Sequence, residues 1–149
     1  MKIKARYLIS VVFLLCAVGC ASGPTYEEYS GAIDPPLPLD GRIYIYRTDA
    51  LGAAVQPAVL VNGEEVGKAN PKSFFYVDRL AGKYEVSASS KAARSLTLTL
   101  EEGEVKYVRL DVKLGLVGGH IELVLVDKAV GEQELKLMNY TGEQAVAAR

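Results

Sequence analysis

Two cysteines and one histidine are all that the 149 residues contain of the strongest metal-binding and nucleophilic side chains. Both cysteines, Cys16 and Cys20, lie in the first twenty positions. The rest of the chain therefore forms no disulfide of its own, and a fold outside the cytoplasm must rest on a packed core. His120, alone and without a thiol, cannot build a structural zinc site, so neither metal nor cofactor is expected. No block of like charge exceeds two residues, which excludes a basic or acidic tail. No apolar run is long enough to cross a bilayer: Tyr7 to Gly19 as a helix covers roughly 20 Å against a hydrocarbon core of roughly 30 Å.

Catalytic patterns are equally sparse. A Ser-His-Asp set would have to draw on Ser87 or Ser95 with His120 and Asp111, and no Gly-x-Ser-x-Gly elbow surrounds either serine. Gly115, Gly118 and Gly119 lack the Lys-Ser/Thr and the following helix of a phosphate-cradling loop. Glu101, Glu102 and Glu104 fall in a turn rather than in a paired-acid arrangement. The residues give no reason to expect an enzyme.

What is present begins with a leader. Lys2, Lys4 and Arg6 precede an apolar stretch from Tyr7 to Val18, with no acidic residue among them. This is the charged-then-apolar layout of a signal peptide. These three are the leader's share of the 17 basic residues, against none of the 18 acidic ones, so the remaining 130 residues carry a formal charge of −4. That balance disfavours nucleic acid or an anionic membrane surface as a charge-driven partner.

Ala17-Val18-Gly19-Cys20 resembles the lipobox of bacterial lipoproteins; an ordinary secretory leader is the alternative. The resemblance implies diacylglycerol on the Cys20 thiol, cleavage between Gly19 and Cys20, and acylation of the new amine. Two or three chains hold durably where one binds marginally, since each buried CH₂ adds about 0.8 kcal/mol. Ala21-Ser22, with no Asp after the cysteine, implies by resemblance to the Gram-negative sorting rule the outer membrane, facing the periplasm.

Residues 20–40 then read as the lipidated cysteine and a Pro-rich tether, with Pro24 and Asp34-Pro35-Pro36-Leu37-Pro38 favouring extended backbone. From Gly41 to Met138 short β-type runs alternate with turns. Arg42 to Arg47 alternates aliphatic and aromatic residues. Ala58 to Val61 leads into Asn62-Gly63, a type I′ hairpin signal, and returns over Glu64 to Gly67. Ser73 to Leu80 is a strand. Lys83 to Ser89 places Tyr84, Val86 and Ala88 inward, and Ser95 to Leu100 places its leucines inward. Glu104 to Leu114 places Val108, Leu110, Val112 and Leu114 on one face. Ile121 to Val126 is apolar on both faces, as in a central strand. Asp127 is placed to cap a short helix to about Met138, with Val130, Leu137 and Met138 inward. Asn139 to Arg149 reads as a flexible tail. The sum is a mainly all-β chain, an antiparallel β-sandwich of about seven strands with a short C-terminal helix; an open barrel is the alternative.

Val59 to Gly67, and Phe75-Tyr76-Val77 with Leu80-Ala81-Gly82-Lys83-Tyr84-Glu85-Val86, resemble PEGA-type sandwich modules, although Ala81 stands where a Pro commonly precedes the Gly. With Arg42 to Arg47, Gly103-Glu104, Tyr107-Val108-Arg109 and Glu122 to Asp127, the chain is more similar to a family of small bacterial lipoproteins of unknown function. The resemblance spans about Gly41 to Leu137. It implies a prealbumin-like sandwich with no catalytic residue to inherit.

Tyr44, Tyr46, Tyr107 and Arg109 are then the candidate contact surface, with Phe75, Tyr84, Arg42 and Arg47 nearby on strands. Tyrosine beside arginine suits a sugar, peptide or protein surface when exposed; the alternative is that these rings are covered by another part of the chain. The expected role is a membrane-held, non-enzymatic interaction or structural module, with an envelope protein or the cell wall as partner. A module binding cell-wall glycan or peptide is the alternative, and a small hydrolase the remainder.

Overall fold

The computed structural model describes residues 23–90, 94–115 and 118–142. The leader 1–19, the cleavage pair Gly19 and Cys20, and the tail from 143 onward lie outside the described residues, as does the side chain of Leu114. The elements run α1 (Tyr26–Ser30), β1 (Asp40–Arg47), β2 (Ala58–Val61), β3 (Glu64–Lys68), β4 (Ser73–Leu80), β5 (Gly82–Ala88), β6 (Leu96–Leu100), β7 (Val105–Gly115), β8 (Gly118–Val126), α2 (Lys128–Leu135) and β9 (Asn139–Tyr140).

Two sheets form, ordered β8-β7-β1-β4-β9 and β3-β2-β5-β6. Their pairing is mostly antiparallel, as a sandwich built from short connections requires. Two pairs are parallel: β1 with β7, and β4 with β9. The Asn62-Gly63 turn joins β2 to β3 with φ of 51° and 83°. Both values lie in the left-handed region that a type I′ turn demands and that Asn and Gly tolerate.

The core between the sheets comes from alternation. Ile43, Ile45, Phe75, Val77, Val108 and Leu110 face Val59, Val61, Val86, Ala88, Leu98 and Leu100, all buried. Each such Val, Leu, Ile or Phe contributes about 1.5–3 kcal/mol when fully buried. On the far side of the four-stranded sheet, Glu85, Thr97 and Thr99 are exposed, the polar face that a half-solvated antiparallel sheet should show.

The five-stranded sheet shows such a polar face only toward β8, where Lys113 and His120 are exposed. Over β1 and β4 its outer side is a second buried layer, and three segments cover it. The first is the N-terminal stretch, expected as tether. Pro24 carbonyl accepts from the Tyr140 amide at 2.8 Å, and the Tyr26 amide donates to Met138 carbonyl at 3.0 Å. Thr25 caps α1 and shares a capping box with Glu28. Tyr26, Tyr29 and Ile33 pack against the core. The second is β9, which takes up the first two residues of the expected tail as a parallel edge strand on β4.

The third is α2, which stops at Leu135 rather than Met138. Asp127 occupies the N-cap position but makes no side-chain cap bond. The helix buries Gly131 and Leu135, an i, i+4 pair, while Val130 and Leu137 are exposed. The inward stripe is therefore one residue away from the Val130 phase read from the sequence, and of the residues expected inward only Met138, beyond the helix, is buried. β8 also differs from expectation: it is an edge strand. Its apolar inner residues Ile121 and Leu123 are buried where β8 meets β5 and β6, so burial comes from the facing sheet and not from a second strand neighbour.

Gly131 explains how α2 sits so close. A Cβ there would lie 2.4 Å from Tyr107 Cγ and 2.8 Å from Tyr107 Cβ. Gly131→Ala should therefore lower stability by about 1–3 kcal/mol through overpacking, although helix propensity alone would raise it by about 1 kcal/mol. Urea unfolding of the two proteins decides the sign; a more stable Ala variant would mean that α2 does not rest on Tyr107.

Candidate functional site

Register places the polar and aromatic side chains of the five-stranded sheet in rows. Asp78 pairs with Arg42, Tyr76 with Tyr44 and Phe74 with Tyr46 across β4 and β1. Tyr44 pairs with Tyr107, and Tyr46 with Arg109, across β1 and β7. Side chains two apart on a strand share a face, so all of these stand on the outer side, beneath α1, β9 and α2.

The sequence-derived contact surface is thus assembled but closed. Tyr44, Tyr46 and Tyr107 are 7%, 1% and 4% exposed. Tyr44 stacks on Tyr107 with ring centres 5.5 Å apart, Tyr26 meets Phe74 edge-on at 5.5 Å, and Tyr29 stacks on Tyr140 at 3.9 Å. Pairs of this kind contribute about 0.5–1.5 kcal/mol each beyond their burial. No solvent-open tyrosine surface is left there for a glycan or peptide. Phe75 belongs to the inner core, and Tyr84 is half-buried with its hydroxyl donating to Leu80 carbonyl at 2.7 Å.

The three arginines are engaged too. Arg42 is buried and forms a two-pronged pair with Asp78, Nε to Oδ1 at 2.6 Å and Nη2 to Oδ2 at 2.7 Å. Its Nη2 also donates to Asp34 carbonyl at 2.7 Å, and its guanidinium lies 4.1 Å from the Tyr76 ring centre. It thereby clasps the N-terminal segment to the sheet.

Arg47 is buried at the end of the sandwich. It donates to Asp49 Oδ1 at 3.1 Å, to Val55 carbonyl at 2.8 Å and to Leu51 carbonyl. It organises the loop between β1 and β2. The planar fork of arginine suits several fixed acceptors at once.

Arg109 joins Asp111 Oδ1 at 2.9 Å and Glu134 Oε1 at 2.8 Å, while Glu134 Oε2 accepts from the Tyr46 hydroxyl at 2.6 Å. This network fastens α2 to the sheet. Beside it a shallow recess of about 440 Å³ is lined by Thr48, Lys72, Glu134, Leu137 and Met138.

The other chemistry-bearing candidates stay apart. Val86 and Ala88 point into the core, so Ser87 stands on the outer side of the four-stranded sheet. Leu110 and Val112 do the same for β7, so Asp111 stands on the outer side of the other sheet. His120 is exposed, opposite Lys113 on β7, and Ser95 precedes β6. The sandwich separates the serine from its would-be partners, and Asp111 already serves Arg109. Glu104 pairs with Lys106 at 2.6 Å and accepts from the Glu101 amide. Although burial opposes it, these contacts hold the Glu104 carboxyl below the usual range. Among the described residues no three of His, Cys, Asp or Glu are grouped to hold a metal ion.

Burial raises the phenol pKa of Tyr44, Tyr46, Tyr76, Tyr107 and Tyr140 above the ordinary value. Glu134 adds to this at Tyr46, Tyr29 at Tyr76 and Tyr140, and Glu132 at Tyr107. The folded state therefore holds protons that the unfolded state releases near pH 10. The stability these groups contribute is full below about pH 10 and is lost as pH rises through their folded values. Alkaline titration should show tyrosinate absorbance from these five appearing together with unfolding. Their ionisation with the fold intact, seen by circular dichroism, would refute the closed layer.

A curated relative from Haemophilus influenzae, described as an uncharacterized protein, is 27% identical over 135 residues, which is 89% of this chain and 80% of that protein. Residues 40–120, more than half of the chain, match the family described as protein of unknown function DUF2846, and the chain belongs to that family.

Proposed function

We propose that the protein is an envelope lipoprotein, lipidated on the Cys20 thiol and then cleaved of residues 1–19, whose sandwich is a non-enzymatic structural or interaction module. The membrane is that of the cell envelope, and the proposed address is the periplasmic side of the outer membrane. The observation that carries the reading is the leader itself: three basic residues, an apolar run too short to span, and small residues ending at Cys20. Two features support it. After Cys20 the chain has no further thiol to compete for it. Among the described residues, contact of the N-terminal segment with the domain is already made at Gly23 and Pro24, three to four residues after Cys20.

The buried tyrosines favour a structural or protein-contact role over a glycan-stacking one, because glycan stacking needs open rings. A partner would meet the exposed positions instead, among them Leu37, Leu39 and Leu80 at the end where β1 begins.

Cys20→Ala should abolish incorporation of labelled fatty acid and move the protein from the membrane to the soluble fraction. Unchanged labelling and unchanged membrane association would overturn the assignment. Because Cys20 precedes the packed residues described here, the thermal unfolding of the released domain should match that of the wild-type domain.

A further inference from the structure

An edge strand offers its free amides and carbonyls to any strand that fits, unless it is short, charged or covered. The two sheets end in β8 and β9, and in β3 and β6. β9 is two residues long and is bridged by Thr25 of the N-terminal segment. β3 carries Glu64, Glu65 and Lys68 in five residues. β6 is open but has five residues and no charge that would select a partner. β8 differs from all three. It runs nine residues, Gly118–Val126, and among the described strands it pairs with β7 alone.

The charges on its outer face stand in rows. Register sets Glu122 opposite Asp111, and His120 opposite Lys113, across β8 and β7. The first row is acid against acid, which destabilises a strand pair. Arg109 and Lys113 answer Asp111. Glu122 has no hydrogen bond or ion pair among the described residues, and neither has the exposed His120. An acid without a donor and an imidazole without an acceptor thus sit two residues apart on an open edge.

We infer that β8 pairs antiparallel with β8 of a second copy of this chain, about a two-fold axis through Ile121, so that the two five-stranded sheets become one. The axis stands perpendicular to the sheet, which keeps both inner faces on the same side and Ile121 opposite its own copy. Glu122 then falls opposite His120 of the second copy, and the row Asp111–Glu122 runs on into the row His120–Lys113. An imidazole N–H donates to a carboxylate whether the ring is charged or neutral. The two-fold makes the contact twice. The ladder runs from Gly118 to Val124, with Gly119 opposite Leu123. Other axes through the strand lose this match. One through Glu122 sets it against itself, and those through Leu123 and Val124 set it against Val124 and Val126. One through Leu125 sets it against Lys128, which has already entered α2.

Opposite residues of an antiparallel pair bring their Cβ atoms to about 5 Å, within small adjustment of a disulfide. The full-length chain with His120→Cys and Glu122→Cys would be purified in mild detergent and oxidised with copper-phenanthroline. It should give a reducible dimer in which mass spectrometry finds two copies of the peptide 114–128 joined. The chain without these substitutions controls for Cys16 and Cys20. Glu122→Cys with Val124→Cys reports the axis through Leu123 and should give little of that product. Absence of the joined peptide from the first pair, or an equal yield from the second, would overturn the pairing. Charge exchange gives a second readout. Glu122→Lys relieves the contact with Asp111, so the fold should lose no thermal stability. The dimer dissociation constant, from sedimentation equilibrium in density-matched detergent, should nevertheless rise roughly tenfold. Adding His120→Glu should restore it. A constant unmoved by Glu122→Lys, no recovery in the double variant, or an unaltered chain that stays monomeric would each overturn the proposal.

Discussion

A sheet buried on both faces is the constraint on which the rest of this structure depends. Every residue of β1 from Gly41 to Arg47 is buried, with β4 on one side and β7 on the other. One face of this strand meets the second sheet, as in any sandwich. The other carries Arg42, Tyr44 and Tyr46, and with Phe74, Tyr76, Tyr107 and Tyr140 it forms an aromatic layer too large to leave in water. Something must cover it. The chain meets this demand with its two flanks: the segment from Pro24 to Asp34, and the segment from Lys128 to Tyr140. The polar atoms inside the layer then need partners, because an unpaired buried charge is costly. Asp78 pairs Arg42, and Glu134 accepts from both Arg109 and Tyr46. The ion pairs follow from the burial and also tie each cover to the sheet.

This division maps onto the family match. Residues 40–120 contain β1 to β7 and the start of β8. The covers α1, α2 and β9 lie outside that span, whereas the Haemophilus influenzae relative aligns over 89% of the chain. The family match thus spans most of the sandwich without its lid, while the match to that relative extends into the covers. Taken alone that sandwich would expose the ring faces of Tyr44, Phe74 and Tyr107. A chain with this sandwich must therefore supply a cover, from its own flanks or from another surface, or change those rings.

Much of the fold was legible in the sequence because local periodicity carries it. Ser73 to Leu80 matched β4 residue for residue, and the Asn62-Gly63 turn followed from its two left-handed positions. The alternation in Arg42 to Arg47 was also right. What the pattern could not say was where its second face looks. Tyrosine is at home in both water and core, and here its covers arrive from positions some 20 residues earlier and 80 or more later. β8 failed for a related reason. Apolar residues on both faces report burial on both faces, not the number of strand neighbours, and an edge strand can be buried by the sheet opposite. The capping box at Thr25 and Glu28 was a readable sign of α1, but the prolines around it gave the stronger signal of extended chain.

The engagement of the polar side chains follows from the same constraint. A site needs polar groups held in place yet left with open valences. In this layer Arg42 holds the N-terminal segment and Arg109 holds α2, and on the opposite face of β1 Arg47 holds the loop that follows it. Asp111, which a triad would have required, sits within that last contact. The positions still open to a partner are those that the covers do not use, on the rims of the sandwich and at its two ends. If Cys20 carries lipid, the N-terminal segment is at once lid and leash, and the two roles reinforce each other. Hydrogen bonds that seat Pro24 and Tyr26 on β9 shorten the connection between Cys20 and the sandwich.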